Sequence, residues 1–143
     1  MPFADEERMT PALLDTDIVS YFLRGNPTVK ARAAEYLDEY PTLNYSIFTQ
    51  YEILSGLRYR DARNQSAKFR EFMALNQMVP FTEQSVEIAA DIYATLRSQG
   101  KIIDDVDILI ASIALEKEYT LVTNNTSHFE PIPNLTLENW TQS

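Results

Sequence analysis

The chain has no cysteine, only three glycines, one histidine and one tryptophan in 143 residues. Without cysteine there can be no disulfide, thiolate metal site or cysteine nucleophile, so any metal must sit on oxygens or on His128. The glycines, Gly25, Gly56 and Gly100, are widely separated. No glycine-rich loop can cradle a phosphate, which sets aside kinases, NTPases and dinucleotide-dependent enzymes. The lone histidine follows no serine on a nucleophile elbow, so Ser-His-Asp hydrolysis lacks its parts. No apolar run approaches the roughly 20 residues that cross a bilayer, and Asp5, Glu6 and Glu7 stand where a signal peptide would be basic and then apolar. The expectation is a cytoplasmic protein without a membrane segment.

What is present suits one globular domain. A hydrophobic content of 45% over this length is enough to bury about two-thirds of the unfolded surface. Residues 1–10 are polar and aperiodic and read as a loose extension, leaving 11–143 as the domain. The formal charge of −9, from 21 acidic and 12 basic residues, argues against gripping nucleic acid through an overall positive field. Distribution matters more than the sum, and Arg58, Arg60, Arg63, Lys68 and Arg70 gather five of the basic residues in one stretch. That stretch reads equally as a solvated helix face or as a contact to a substrate backbone.

Strand and helix signals alternate. Leu13-Leu14 is the core of a buried strand ending at Asp15, and an apolar helical turn follows and closes at Gly25. Asn26-Pro27 opens a helix to about Tyr40, with Val29, Ala33, Tyr36 and Leu37 on one face. Leu43 to Ser46 reads as a strand whose Ser46 caps a helix to about Tyr59, its core face carrying Phe48, Tyr51, Leu54 and Leu57. A helix over roughly Ala62 to Asn76 precedes a strand at Met78 to Phe81, where Pro80 implies an edge or a strand end. Thr82 with Ser85 starts a long helix that Gly100 terminates. A nearly all-apolar, central helix begins at Asp104 or Asp105; Tyr119 to Thr123 and Leu135 to Leu137 are the last strands. The alternation implies a parallel sheet covered on both faces.

Three acids sit against apolar sequence: Asp15 at a strand end, Glu52 in Tyr51-Glu52-Ile53-Leu54, and Asp107 before Ile108-Leu109-Ile110-Ala111. A carboxylate beside a core is costly without donors or a cation, and a hard divalent ion such as Mg²⁺ or Mn²⁺ would satisfy all three at once. In an open parallel sheet the crevice lies outside the carboxyl ends of the strands, where Asp15 and the Thr123-Asn124-Asn125 run fall. A cation there would activate water for phosphodiester hydrolysis. Asp17 suits a helix cap. Asp104 and Asp105 also suit caps, with Asp104 open to a role as auxiliary ligand. Thr123 could close a strand or orient the attacking water.

The order Leu-Leu-Asp-Thr-Asp-Ile, Tyr-Glu-Ile-Leu-Ser-Gly, Asp-Ile-Leu-Ile-Ala-Ser, Leu-Val-Thr-Asn-Asn-Thr and Leu-Glu-Asn-Trp resembles PIN-domain ribonucleases, specifically VapC-type toxins, from Met9 to Trp140. The resemblance implies a three-layer α/β/α fold with a mostly parallel sheet of four to five strands. It implies Mg²⁺-binding acids at Asp15, Glu52 and Asp107, polar site residues at Thr123 and Asn125, an RNA substrate with tRNA as one candidate, homodimers, and a VapB-type antitoxin partner. Where many relatives carry a fourth acid, this chain has His128, which could ligate metal, contact phosphate or simply lie at the surface. The missing acid argues against a second metal. It also keeps open a catalytically inactive PIN-like interaction module. A phosphoryl-accepting receiver domain is less favoured, because Lys117 precedes rather than follows the Thr123 strand.

Overall fold

The computed structural model describes residues 9–142, so the expected extension falls almost wholly outside the described residues. Met9 and Thr10, its last two members, are held: the Met9 amide donates to Glu39 and its carbonyl accepts from the Tyr40 hydroxyl. In chain order the elements are β1 (Ala12–Leu14), α1 (Thr16–Leu23), α2 (Pro27–Leu37), β2 (Asn44–Ser46), α3 (Ile47–Tyr59), α4 (Arg63–Leu75), β3 (Gln77–Val79), α5 (Glu83–Ser98), α6 (Asp105–Lys117), β4 (Thr120–Val122), α7 (Thr126–Phe129) and β5 (Leu137–Glu138). Five parallel strands run in the order β3-β2-β1-β4-β5. Helices cover both faces, giving the three-layer α/β/α architecture. No helix among the described residues is long and apolar enough to cross a membrane.

Side-chain alternation along three-residue strands divides the core in two. Ala12, Leu14 and Val122 join α1 to α4 on one face, while Leu13 and Leu121 pack with α5, α6 and Phe129 on the other. Successive residues of a strand point to opposite faces, so even these short strands serve both layers. The helix starts follow their caps: Asn26 accepts from the Val29 amide, Ser46 from the Thr49 amide, and Thr82 and Ser85 form a reciprocal capping box. At the far end Glu138 accepts from both Arg32 and the Trp140 indole, pinning a fully buried Trp140.

Four sequence expectations need correction. Tyr51 is 67% exposed, and α3 buries Thr49 and Ile53 beside the expected Leu57. Leu37 lies outside the buried face of α2, which consists of Val29, Ala33 and Tyr36. The third strand stops at Val79, before Pro80, and β3 is indeed an edge. The last strand is Leu137–Glu138 rather than Leu135 to Leu137. α7 had no counterpart in the sequence reading, since four residues are too few to show helical periodicity.

Candidate active site

Strand order reverses at β1: the chain proceeds outward through β2 and β3, then returns to place β4 on the other side of β1. This reversal opens a crevice beyond the carboxyl ends of β1 and β4. Leu14 pairs with Val122 in register, so Asp15 and Thr123 leave the sheet side by side. The Asp15 amide completes the ladder by donating to Val122 O, and the Thr123 amide donates to Glu138 O.

Asp15 is the N-cap of α1 and only 7% exposed. One carboxylate oxygen accepts from the Thr16 amide at 2.8 Å and the other from the Thr123 hydroxyl at 2.9 Å. The Thr123 oxygen in turn accepts from the Asn125 amide at 3.1 Å. Burial, and then the charge of Asp17, push the Asp15 carboxyl up from 3.8 to about 7, against the lowering effect of these donors; Asp107 adds to the rise. Among the sequence candidates, Asp15 and Thr123 are therefore in direct contact. Asn125 contributes its backbone.

Asp17 is not a helix cap, the role the sequence suggested. Its Oδ2 accepts from the Asn124 amide at 3.1 Å, across the mouth of the crevice, while Oδ1 is buried without a hydrogen-bond partner. Its carboxyl is raised by burial, and the Asp107 charge contributes in the same direction. An orphaned carboxylate oxygen is expensive unless something supplies positive charge. The local sequence could not reveal this, because the partner lies over a hundred residues away.

Glu52 joins through hydroxyls. The Thr16 hydroxyl donates to Glu52 at 2.6 Å and contacts the Thr49 hydroxyl at 2.9 Å. Thr16 has one proton and spends it on Glu52, so Thr49 donates to Thr16; Ser46 then donates to Thr49 at 3.4 Å. The result is a directed relay from Ser46 to Glu52 that ties the carboxylate to Thr16, the residue after Asp15. Thr16 and Thr49 escaped the sequence reading.

Asp107 lies in the first turn of α6, half-buried, with Oδ2 2.9 Å from His128 Nε2. Its carboxyl is raised by burial, opposed by the hydrogen bond and charge of His128. His128, left with three readings by the sequence, is thus the partner of Asp107. Asp104 is exposed at the N-cap position, makes no capping hydrogen bond, and acts on Asp107 through its charge. His128→Ala should raise the Asp107 pKa further, read by NMR titration of the Asp107 carboxyl. An unmoved titration would show that the contact is absent in solution.

Asp15, Asp17 and Asp107 sense one another's charge, and Glu52 is linked to Asp15 by Thr16. Among the described residues, however, no three acid or histidine side chains close around a point where a cation could sit. The donor set is nevertheless all oxygen apart from one imidazole, contains no thiolate, and includes the orphaned Asp17 oxygen. By ligand chemistry it suits a hard divalent ion.

A five-stranded parallel sheet with helices on both faces and the acids Asp15 and Asp17 at its topological reversal defines the class: a three-layer α/β/α fold with an acidic crevice. The PIN domain family profile matches residues 12–133, and the chain belongs to that family. It is 32% identical to ribonuclease VapC2 of Rickettsia felis, over 90% of this chain and 96% of the relative. It is 31% identical to ribonuclease VapC19 of Mycobacterium tuberculosis, over 86% of this chain and 95% of the relative. Among solved structures, the VapBC2 complex of Rickettsia felis bound to a promoter DNA fragment superposes with a TM-score of 0.81 at 30% identity, covering 90% of this chain and 98% of that one. The chain is therefore a homologue of the VapC ribonucleases of VapBC toxin–antitoxin systems.

Proposed function

We propose that this protein is a divalent-metal-dependent endoribonuclease toxin that hydrolyses RNA phosphodiester bonds in the cytoplasm. The carrying observation is Asp15: a buried carboxylate at the end of a central strand, destabilised by its neighbours, beside an Asp17 oxygen with no partner. Asp15, Glu52 and Asp107 would hold Mg²⁺ or Mn²⁺, with Asp17 supplying the further acid that position 128 lacks. When bound, the cation supplies activation of water and neutralises charge developing on the phosphoryl oxygens. The protein's own groups prepare the site. Thr16 and Thr123 hold the two oxygens of Asp15, the hydroxyl relay holds Glu52, and His128 holds Asp107.

A VapB-type antitoxin is the proposed partner, because the structural relatives are VapBC complexes. A groove of about 550 Å³ with an apolar floor of Phe22, Leu23, Leu37, Phe72 and Leu75, edged by Arg24, Lys30, Lys68 and Glu71, gives such a partner a surface. Exposed Tyr51 and Tyr59 on α3 and Val86 and Tyr93 on α5 leave surface for a second copy of the chain. The test is incubation of the purified protein with total cellular RNA. Cleavage should appear with Mg²⁺ and vanish with a chelator; cutting that resists chelation overturns the metal assignment, and no cutting under either condition favours the inactive interaction module.

A further inference from the structure

We propose that the cleft leading from Glu52 past Gly56 to Lys68 is the track for the RNA backbone flanking the cleaved bond, gripped by Arg24, Arg60 and Lys68. The inference rests on the ribonuclease reading above. The cleft encloses about 590 Å³, with Thr16 and Glu52 at one end and Arg24, Arg60, Gln65 and Lys68 among the residues along its walls. On a protein of net charge −9, three cations from three different elements converge here: Arg24 caps α1, Arg60 caps α3 and Lys68 lies in α4. Among the described residues none of the three is paired with a carboxylate, whereas Arg32 and Arg63 are. Unpaired cations held together repel one another, so the arrangement gains when an anion enters. Among the described residues Glu52 is the only acid in the lining, and it belongs to the proposed hydrolytic end.

Gly56 supplies an independent observation. A glycine inside a helix weakens it relative to alanine, and Gly56 sits within α3 at ordinary helical backbone angles that any residue could adopt. A Cβ there would meet Arg60 Nη1 at 3.3 Å and nothing else within 4 Å beyond the helix's own backbone. The missing side chain therefore leaves room for the Arg60 guanidinium folded over the cleft floor. Arg24 is also pre-oriented, its guanidinium 5.2 Å from the centre of the Tyr21 ring. Beside the cations, half-buried Leu23 offers a little apolar surface to a sugar or base, while Ile53 and Leu57 form the core beneath the cleft floor.

The experiment is a salt titration of binding to a short fluorescent single-stranded RNA of mixed sequence, in chelator so that nothing is cut. Arg60→Gln and Lys68→Gln should each weaken binding several-fold and flatten the slope of log affinity against log salt by about 0.7, the value for one lost phosphate contact on a single strand. Arg60→Lys should restore most of the slope. Gly56→Ala should weaken binding while raising thermal stability, a pairing that a purely structural role would not produce. Arg70→Gln, in a separate surface hollow with Arg58 and Arg63, should match the wild type. With Mg²⁺, the cleft variants should raise KM more than they lower kcat. Unchanged slopes in both Gln variants, while the wild type still cleaves, overturn the track and leave the ribonuclease reading standing. Loss of binding to a polyglutamate peptide with RNA binding intact also overturns it, in favour of an acidic-peptide groove. Binding that depends on these cations in a protein that cuts no RNA retains the track and overturns the ribonuclease reading.

Discussion

Asp15→Asn is expected to reduce RNA cleavage by about a hundred- to a thousand-fold, the scale on which a preorganised charge at a reacting centre acts. The substitution is close to isosteric. The asparagine carbonyl can accept from the Thr16 amide as Asp15 does, and the Thr123 hydroxyl, which now donates to Asp15, can rotate to accept from the new amide nitrogen. What disappears is the negative charge at the junction of β1 and β4, on a carboxylate in contact with both a strand-end hydroxyl and a helix N-terminus. Far-ultraviolet circular dichroism and the melting temperature should show an intact fold. The metal-free variant should even melt above the wild type at neutral pH, since a buried charge has been removed. Cleavage at the wild-type rate in a folded Asp15→Asn protein would eliminate the proposed site, whatever the resemblance to ribonucleases.

Much of this geometry can be read from local sequence, because its determinants are local. Leu13-Leu14 followed by Asp15 marks a buried strand with an acid at its carboxyl end, and the caps at Asn26, Ser46 and Thr82 follow from side chains that reach only three residues onward. The acids at 15, 52 and 107 stand out because carboxylates are rare inside apolar stretches. Other features depend on distant partners. Asp17 resembles a cap until Asn124 arrives from β4 to take one of its oxygens and the crevice buries the other. In α3 two stripes compete at helical spacing, Phe48 with Tyr51 and Thr49 with Ile53 and Leu57. The second wins because Thr49 exchanges hydrogen bonds with Ser46 and Thr16, a tertiary choice invisible to periodicity. Glu138 pairs with β4 while its carboxylate is satisfied by Arg32 and Trp140, partners that strand periodicity does not show.

The acidic crevice should also govern stability, with a definite sign. Unfolded, Asp15 titrates near 3.8; folded, burial and the Asp17 charge move it up to about 7. Between those values the native protein holds a proton that the unfolded chain has released, so metal-free stability should fall as pH rises from about 4 to about 7 and level off above. The gap corresponds to on the order of 4 kcal/mol, and Asp17 and Asp107, raised in the same direction, add to the trend. Asp15→Asn should remove most of this slope. Magnesium should oppose it: binding to the native state alone adds about 2.7 kcal/mol at a hundredfold excess over Kd. Because the cation competes with protons for the same oxygens, its stabilising effect should be large near pH 8 and small near pH 5. Thermal melts across this range, in chelator and in Mg²⁺, would measure both effects. A chelated protein whose melting temperature ignores pH between 4 and 7, or a magnesium shift equal at the two ends, would mean that these carboxylates neither strain the fold nor share an ion.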